Sequence, residues 1–328
     1  MNIAQIKDIA DAVLYEGYLL YPYRHSALKN RQRWTFGVVY PRTEGTTREM
    51  QEPWTMQTEC LLTGQAETTL TVYVRFLHLL THMQQSEDHG SSWDEGMPRE
   101  VRAEITLGAL SSGAHHIEMI FPGGEQANDG ATETLAGPMR WYPLTGTMTI
   151  SATPVDPQLF KLRVAIANTS PLAHSLPQRR DASLLQSFVS THAILQVQHG
   201  SFPSLIDPPH ELAHLAQSCQ NLHTWPVLIG NTGAHDALLS APIILYDYPQ
   251  IAPESIGPFF DGTEIDELLA LRILTLTDEE KQQMQEADEQ TRALLERTEQ
   301  LSQEQLMKLH GAIRGLAPID ADERKGEQ

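Results

Sequence analysis

Two cysteines in 328 residues, Cys60 and Cys219, cannot build a disulfide framework, and no CxxC pair is present to bind zinc or cycle redox state. The reading they leave is two free thiols in a reducing cytoplasm. Basic side chains are scarce, 23 against 42 acidic ones, for a formal net charge of -19. That balance argues against nucleic acid or an anionic membrane as the main partner. No run of eighteen apolar residues occurs, so no membrane-spanning helix is expected. Asp8 and Asp11 interrupt the apolar pattern at the N-terminus, which argues against a signal peptide and for a cytoplasmic protein. Walker A, GxGxxG and GxSxG patterns are all missing, and with them the usual phosphate cradles and the nucleophile elbow. Phe121-Pro-Gly-Gly-Glu125 has no following Lys-Ser/Thr and reads as a turn. No internal repeat is found.

What remains is an ordinary globular composition, 41% hydrophobic and 20% charged, in a chain long enough for more than one domain. Ile3, Ile6, Ile9, Val13 and Leu14 recur at helical spacing over 2–15 and predict an amphipathic N-terminal helix. Strands are predicted at 35–40, 68–80, 101–110, 117–121, 144–153, 159–168, 193–198, 226–229 and 242–246. The pair at 144–153 and 159–168 alternates most cleanly, with Met148 and Ile150 on one and Leu162, Val164 and Ile166 on the other. A short helix is expected over 181–190, capped by Asp181. Segments 86–100 and 122–137, polar and rich in Gly and acids, read as surface loops. Past Pro258 the pattern turns helical. One helix starts at Thr263; Thr277-Asp-Glu-Glu280 is a capping box opening an acidic helix to about Glu299; and Ser302-Gln-Glu-Gln305 opens a third, which Gly315 ends.

The expected fold is therefore α+β. It comprises a β-rich, sandwich-like, mainly antiparallel body with the N-terminal helix (1–258), a unit of three helices (259–317) and a disordered tail (318–328).

Candidate chemistry is thin. His210-Glu-Leu-Ala-His214 matches the HExxH zinc-hydrolase pattern, in which two histidines one helical turn apart share a metal and the glutamate, here Glu211, deprotonates the bound water. Pro208 and Pro209 place His210 in a first helical turn, and Leu212, Leu215, Ala216 and Cys219 mark the buried face, leaving both histidines toward solvent. The positions for a third ligand hold Gln217 and Gln220. On a strand, His116 and Glu118 share a face and His115 points away, so that group is one ligand pair at most. His223 and His235 have nothing in the sequence to bring them close. Asp207, Asp261 and Glu264 could be paired carboxylates, but Asp261 and Glu264 straddle a helix start, and capping with dipole compensation is the favoured reading. No metal and no cofactor is expected; a zinc hydrolase built on 210–214 is the alternative.

The segment Tyr21-Pro-Tyr-Arg-His-Ser-Ala-Leu-Lys-Asn-Arg-Gln-Arg-Trp34 stands out against the acidic background. Arg24, Lys29, Arg31 and Arg33 occur there with no acid among them, interleaved with Tyr21, Tyr23 and Trp34. These are side chains that protein interfaces favour. Two readings stand: a contact surface for a partner, or an internal clamp on the acidic helix 278–299.

Several phrases resemble an uncharacterised bacterial protein family encoded in [NiFe]-hydrogenase gene clusters. They are AVLYEGYLLYPYRHSALKNRQRWTFGVVYP (12–41), FPSLIDPP (202–209), TWPVLIG (224–230), PIILYDYPQIAPES (242–255) and DGTEIDELLALRILTLTDEEKQQM (261–284). The resemblance is to phrases and transfers no site residue. It implies a non-enzymatic accessory or assembly role, with a hydrogenase subunit or maturation factor as the protein partner.

Overall fold

A computed structural model describes residues 3–18, 36–42, 52–84, 92–126, 136–172, 180–251, 266–285 and 289–308. The basic segment 21–34, the helix end at Gly315 and the tail 318–328 lie outside them.

The chain runs α1 (Ile3–Tyr18), β1 (Thr55–Gln84), β2 (Ser92–Thr106), α2 (Leu107–Leu110), β3 (His115–Phe121), β4 (Gly124–Gln126), β5 (Ala136–Trp141), β6 (Leu144–Asp156), β7 (Leu159–Asn168), α3 (Arg180–Leu184), β8 (Val189–Ser201), α4 (Ala213–Gln217), β9 (Trp225–Leu228) and β10 (Ala237–Ala241). Four further helices follow: α5 (Asp266–Leu274), α6 (Asp278–Gln285), α7 (Glu289–Glu299) and α8 (Gln303–Lys308). The ten strands form one antiparallel sheet, so the β-rich α+β architecture is as the patterning predicts.

The sheet is organised by β1, thirty residues long. Its first half pairs with β7, through Thr55↔Ala167 to Thr63↔Leu159, and its second half pairs with β2 and β8. Between them the register against β8 jumps from Gly64↔Gly200 to Thr69↔Gln198, and the extra β1 residues form a bulge that bends the strand. The bend folds one wing over the other. In the order β3-β6-β7-β1, Phe121 on β3 would sit about 14 Å from β1 in a flat sheet. Instead its ring lies 5.2 Å from that of Phe76 on β1, edge to face. Phe76 also packs on Phe188 at 4.5 Å. Between the wings lies the main core, in which Leu70, Val72, Val74 and Phe76 meet Met148, Ile150, Leu162, Val164 and Ile166.

The outer face of the second wing is covered by α1. Ile6, Ile9 and Ala10 pack on Tyr73, Ile194, Val227 and Leu239. Burial of the two isoleucines contributes about 1.5–3 kcal/mol each. Polar contacts set the helix in place: Lys7 Nζ lies 2.8 Å from Glu100 of β2 and 4.9 Å from the Tyr73 ring centroid, and Asp11 accepts from Arg75 of β1. The C-terminal helices carry their own core of Ala270, Ile273, Met284, Leu294 and Leu295. Both capping boxes form: Glu280 N donates to Thr277 Oγ1 and Thr277 N to Glu280, and Ser302 pairs reciprocally with Gln305.

Several expected elements are corrected. Within 35–40, Val39 makes only an isolated bridge to Phe188, and Gly37 turns the chain at φ +54°. The segment read as a loop over 86–100 contains the start of β2, and that over 122–137 contains β4 and the start of β5. Charged residues and Pro98 hid β2, whose described pairing is with β1 alone; a proline needs such an unpaired edge. The strand predicted at 101–110 stops at Thr106, whose side chain caps α2 by accepting from Ala109 N. The helix expected over 181–190 ends at Leu184, with Asp181 inside it, because Phe188 and Val189 are drawn into the core. The strand placed at 242–246 is instead β10, just before it.

Candidate functional site

Three of the recognisable phrases meet at one place. FPSLIDPP leaves β8, TWPVLIG includes β9, and PIILYDYPQ leaves β10. Asp247 ties them. Its Oδ2 accepts from Ser204 Oγ at 2.5 Å and its Oδ1 from the backbone N–H of Leu228 at 2.8 Å. Ser204 Oγ in turn accepts from the N–H groups of Ile206 and Asp207, at 3.1 and 2.9 Å, and fixes the turn before Pro208. Tyr248 N donates to Leu228 O, and Phe202 N to His235 O, both at 2.7 Å.

This bonding sorts the side chains. Phe202, Leu205 and Tyr248 pack into the main core, and Ile243 and Leu245 join the cluster under α1. Ile244 and Tyr246 alternate with them and point outward, 76% and 85% exposed. Ile206, on the loop that leaves β8, and Ile251, further along the loop that leaves β10, are exposed as well. Large apolar side chains are thus held in water on a braced, proline-rich loop pair, an arrangement found at interaction surfaces. The alternation over 243–246 was legible as a pattern, but it read as a strand; the tie through Asp247 to Ser204, distant in sequence, was not legible.

The HExxH residues are placed differently from a metal helix. His210–Leu212 is a 3-10 turn, and α4 begins only at Ala213. His210, Glu211 and His214 are all exposed, while Ala216 packs with Leu61 and Leu159. Among the described residues no three His, Cys, Asp or Glu side chains group closely enough to hold a metal ion. His115, His116 and Glu118 are exposed on β3, where His116 Nδ1 lies 3.0 Å from Thr149 Oγ1. His235 bonds the Phe202 carbonyl, and His223 sits at φ +62°. The structure brings none of these together. Of the capping candidates, Asp207 lies in the braced turn, and Asp261 and Glu264 fall outside the described residues. So do all the partner-contact candidates: Tyr21, Tyr23, Arg24, Lys29, Arg31, Arg33 and Trp34.

The thiols are poor nucleophiles. Burial raises Cys60 well above the ordinary thiol range, helped by Cys219 and Glu59, and burial also raises the half-buried Cys219.

Buried titratable groups that the sequence reading missed lie along β1 and β8. His78 is fully buried in β1; its Nε2 donates to the Tyr142 carbonyl at 2.8 Å, and desolvation pushes its pKa down to about 4. His82 pairs with Glu95 at 2.6 Å. Arg75 and His192 face each other across β1 and β8. The signal available for them was a charged or imidazole side chain inside an otherwise apolar run, Thr-Val-Tyr-Val-Arg75-Phe-Leu-His78.

Compared with known protein-family models and with curated proteins, the chain finds no match. No described helix is long and apolar enough to cross a membrane.

Proposed function

We propose that this protein is a non-enzymatic accessory or assembly factor that acts through protein contacts, in the maturation or complex formation of a [NiFe]-hydrogenase. One observation carries the reading. Three separated phrases of the sequence are spent on bracing a loop pair through Asp247, and Ile206, Ile244 and Tyr246 are exposed on those braced loops. A half-buried tie within loops that carry exposed aromatic and aliphatic side chains preorganises a surface, which lowers the ordering cost of binding. The basic segment with Tyr21, Tyr23, Arg24, Lys29, Arg31, Arg33 and Trp34 is proposed as a second contact, suited to an acidic patch on the partner. The partner is a hydrogenase subunit or maturation factor, in the cytoplasm.

Co-purification from native cells tests this. A hydrogenase component is expected to elute with the tagged protein, and to be lost with Ile244→Asp/Tyr246→Ala at unchanged thermal stability. Recovery solely as a free monomer, with normal hydrogenase activity in a deletion strain, would sink the proposal.

A further inference from the structure

An edge strand presents a row of unpaired backbone groups, and proteins blunt that row with proline, charge, bulges or a covering segment. Both β2 and β9 are blunted in this way. β2 carries Pro98 and several charged side chains, and its Glu100 ties to Lys7 of α1. β9 carries Pro226, and its outward groups at Leu228 are taken: the N–H donates to Asp247, and the carbonyl accepts from Tyr248 N. The edge at β3 is left open. His115–Phe121 holds no proline and no lysine, and its register against β6 runs without a bulge. Among the described residues nothing pairs with its other side.

The ladder fixes which groups that edge presents. Asn168 N donates to Trp54 O, toward β1, and Thr169 N donates to Thr145 O. Along β6, odd-numbered residues therefore bond β7 and even-numbered ones bond β3. Gly146, Met148 and Ile150 are the hydrogen-bonded partners of Met119, Ile117 and His115. His116, Glu118 and Ile120 turn their N–H and C=O groups outward. Their side chains are exposed on the face away from the core, Ile120 at 66%.

We propose that this edge is a two-fold interface with a second copy of the chain, in which β3 pairs antiparallel with β3 of that copy about Ile117. Few registers are available across a two-fold axis. Centred on His116, pairing sets the two imidazoles opposite each other; centred on Glu118, it opposes two carboxylates. Centred on Met119, it sets His116 against Pro122, which has no N–H. Centred on Ile117, it sets His116 of each copy opposite Glu118 of the other, twice. Both residues face outward, so each such pair exchanges two backbone hydrogen bonds. His116 Nδ1 lies 3.0 Å from Thr149 Oγ1; with that hydroxyl donating, Nε2 carries the proton and donates to the facing carboxylate. On the inner face Ile117, packed on the main core, meets Ile117 of the other copy. The complementary groups thus sit two residues apart on one strand, as a contact between identical surfaces requires. The interface is small, so the dimer is reversible. The formal charge of -19 on each chain opposes it at low salt, and screening relieves that repulsion.

Sedimentation velocity of the full-length protein at physiological salt, over a concentration series up to the solubility limit, tests this. A concentration-dependent dimer is expected. Glu118→Pro deletes an edge-facing N–H and no bond to β6, so it should abolish the dimer and leave the circular dichroism of the monomer unchanged. Glu118→Lys sets a cation opposite His116 twice and should weaken dimerisation about tenfold. The swap His116→Glu/Glu118→His should restore it, because the same two groups then face each other in exchanged positions. A dimer that Glu118→Pro leaves intact overturns the proposal, as does a swap no tighter than Glu118→Lys. Wild-type protein monomeric throughout the series also overturns it. If Glu118→Pro then abolishes co-purification of a different protein, the edge belongs to that protein instead.

Discussion

Replacing Asp247 by alanine removes two hydrogen bonds to a carboxylate, those from Ser204 Oγ and Leu228 N–H. Hydrogen bonds to charged groups contribute about 1.5–3 kcal/mol each. Asp247 is only half-buried, so water replaces part of what is lost, and a total of roughly 2–3 kcal/mol is expected. At about 2–4 °C per kcal/mol for a domain of 150–250 residues, the Tm should fall by roughly 4–12 °C. The loss is local in origin: Ile206 and Asp207 N–H groups still have Ser204 Oγ, but that hydroxyl is no longer anchored. Amide exchange at Leu228, Ile206 and Asp207 should quicken, with strands β6 and β7 unaffected, and partner capture should weaken because the loop pair is no longer preorganised. Asp247→Asn, which keeps one carbonyl acceptor, should lose about half as much. A Tm and an exchange pattern identical to wild type in Asp247→Ala would refute the reasoning that this carboxylate braces the surface.

Other consequences follow from the core and the flanking segments. His78 and His192 have pKa values lowered to about 4 and about 3, both chiefly by burial. The unfolded chain therefore binds protons below its ordinary value of about 6.5 while the native state does not, and stability falls as pH drops from there toward 4, by about 1.4 kcal/mol per pH unit for each histidine. Urea midpoints at pH 7 and pH 5 measure it, and a flat profile would show that these rings are not buried neutral. Gly146→Ala should destabilise by about 1–3 kcal/mol or more, since its Cβ would meet the Phe188 ring at 2.6 Å and the Ala167 carbonyl at 2.7 Å; a urea midpoint equal to wild type contradicts that packing. Arg31→Glu/Arg33→Glu should abolish partner capture at unchanged Tm, whereas a fall in Tm identifies the segment as a clamp on the acidic helices. Purified protein should carry no stoichiometric zinc by metal analysis, with His210→Ala unchanged in Tm; stoichiometric metal lost in that variant would revive the hydrolase reading.

Local patterning made much of the architecture legible. The β6–β7 hairpin is read from alternation because both strands are adjacent in sequence and half of each faces the core, as the buried Met148, Ile150, Leu162 and Val164 bear out. Helix α1 and the two capping boxes are likewise determined within a few residues of themselves. The strands lost to sequence reading were those whose character depends on a distant neighbour. Polar β2 is a strand because β1 pairs with all fifteen of its residues, and its outward charges at Glu100 and Arg102 are matched by Lys7, Arg75 and Tyr73.

The absences that began the reading still bound the chemistry. Too few cysteines, no phosphate cradle and no nucleophile elbow are facts of composition and spacing, and no folding can supply those residues. Likewise, the choice of β-rich body against helical tail is written in periodicity, which the backbone reads residue by residue. Tertiary structure alone decided which phrases meet. Asp247 finds Ser204, and Arg75 finds His192, only because the bend in β1 and the crossovers of the sheet bring together residues whose sequence separation leaves no local signal. A side-chain hydrogen bond is a statement about position in space, and that position is a property of the whole core.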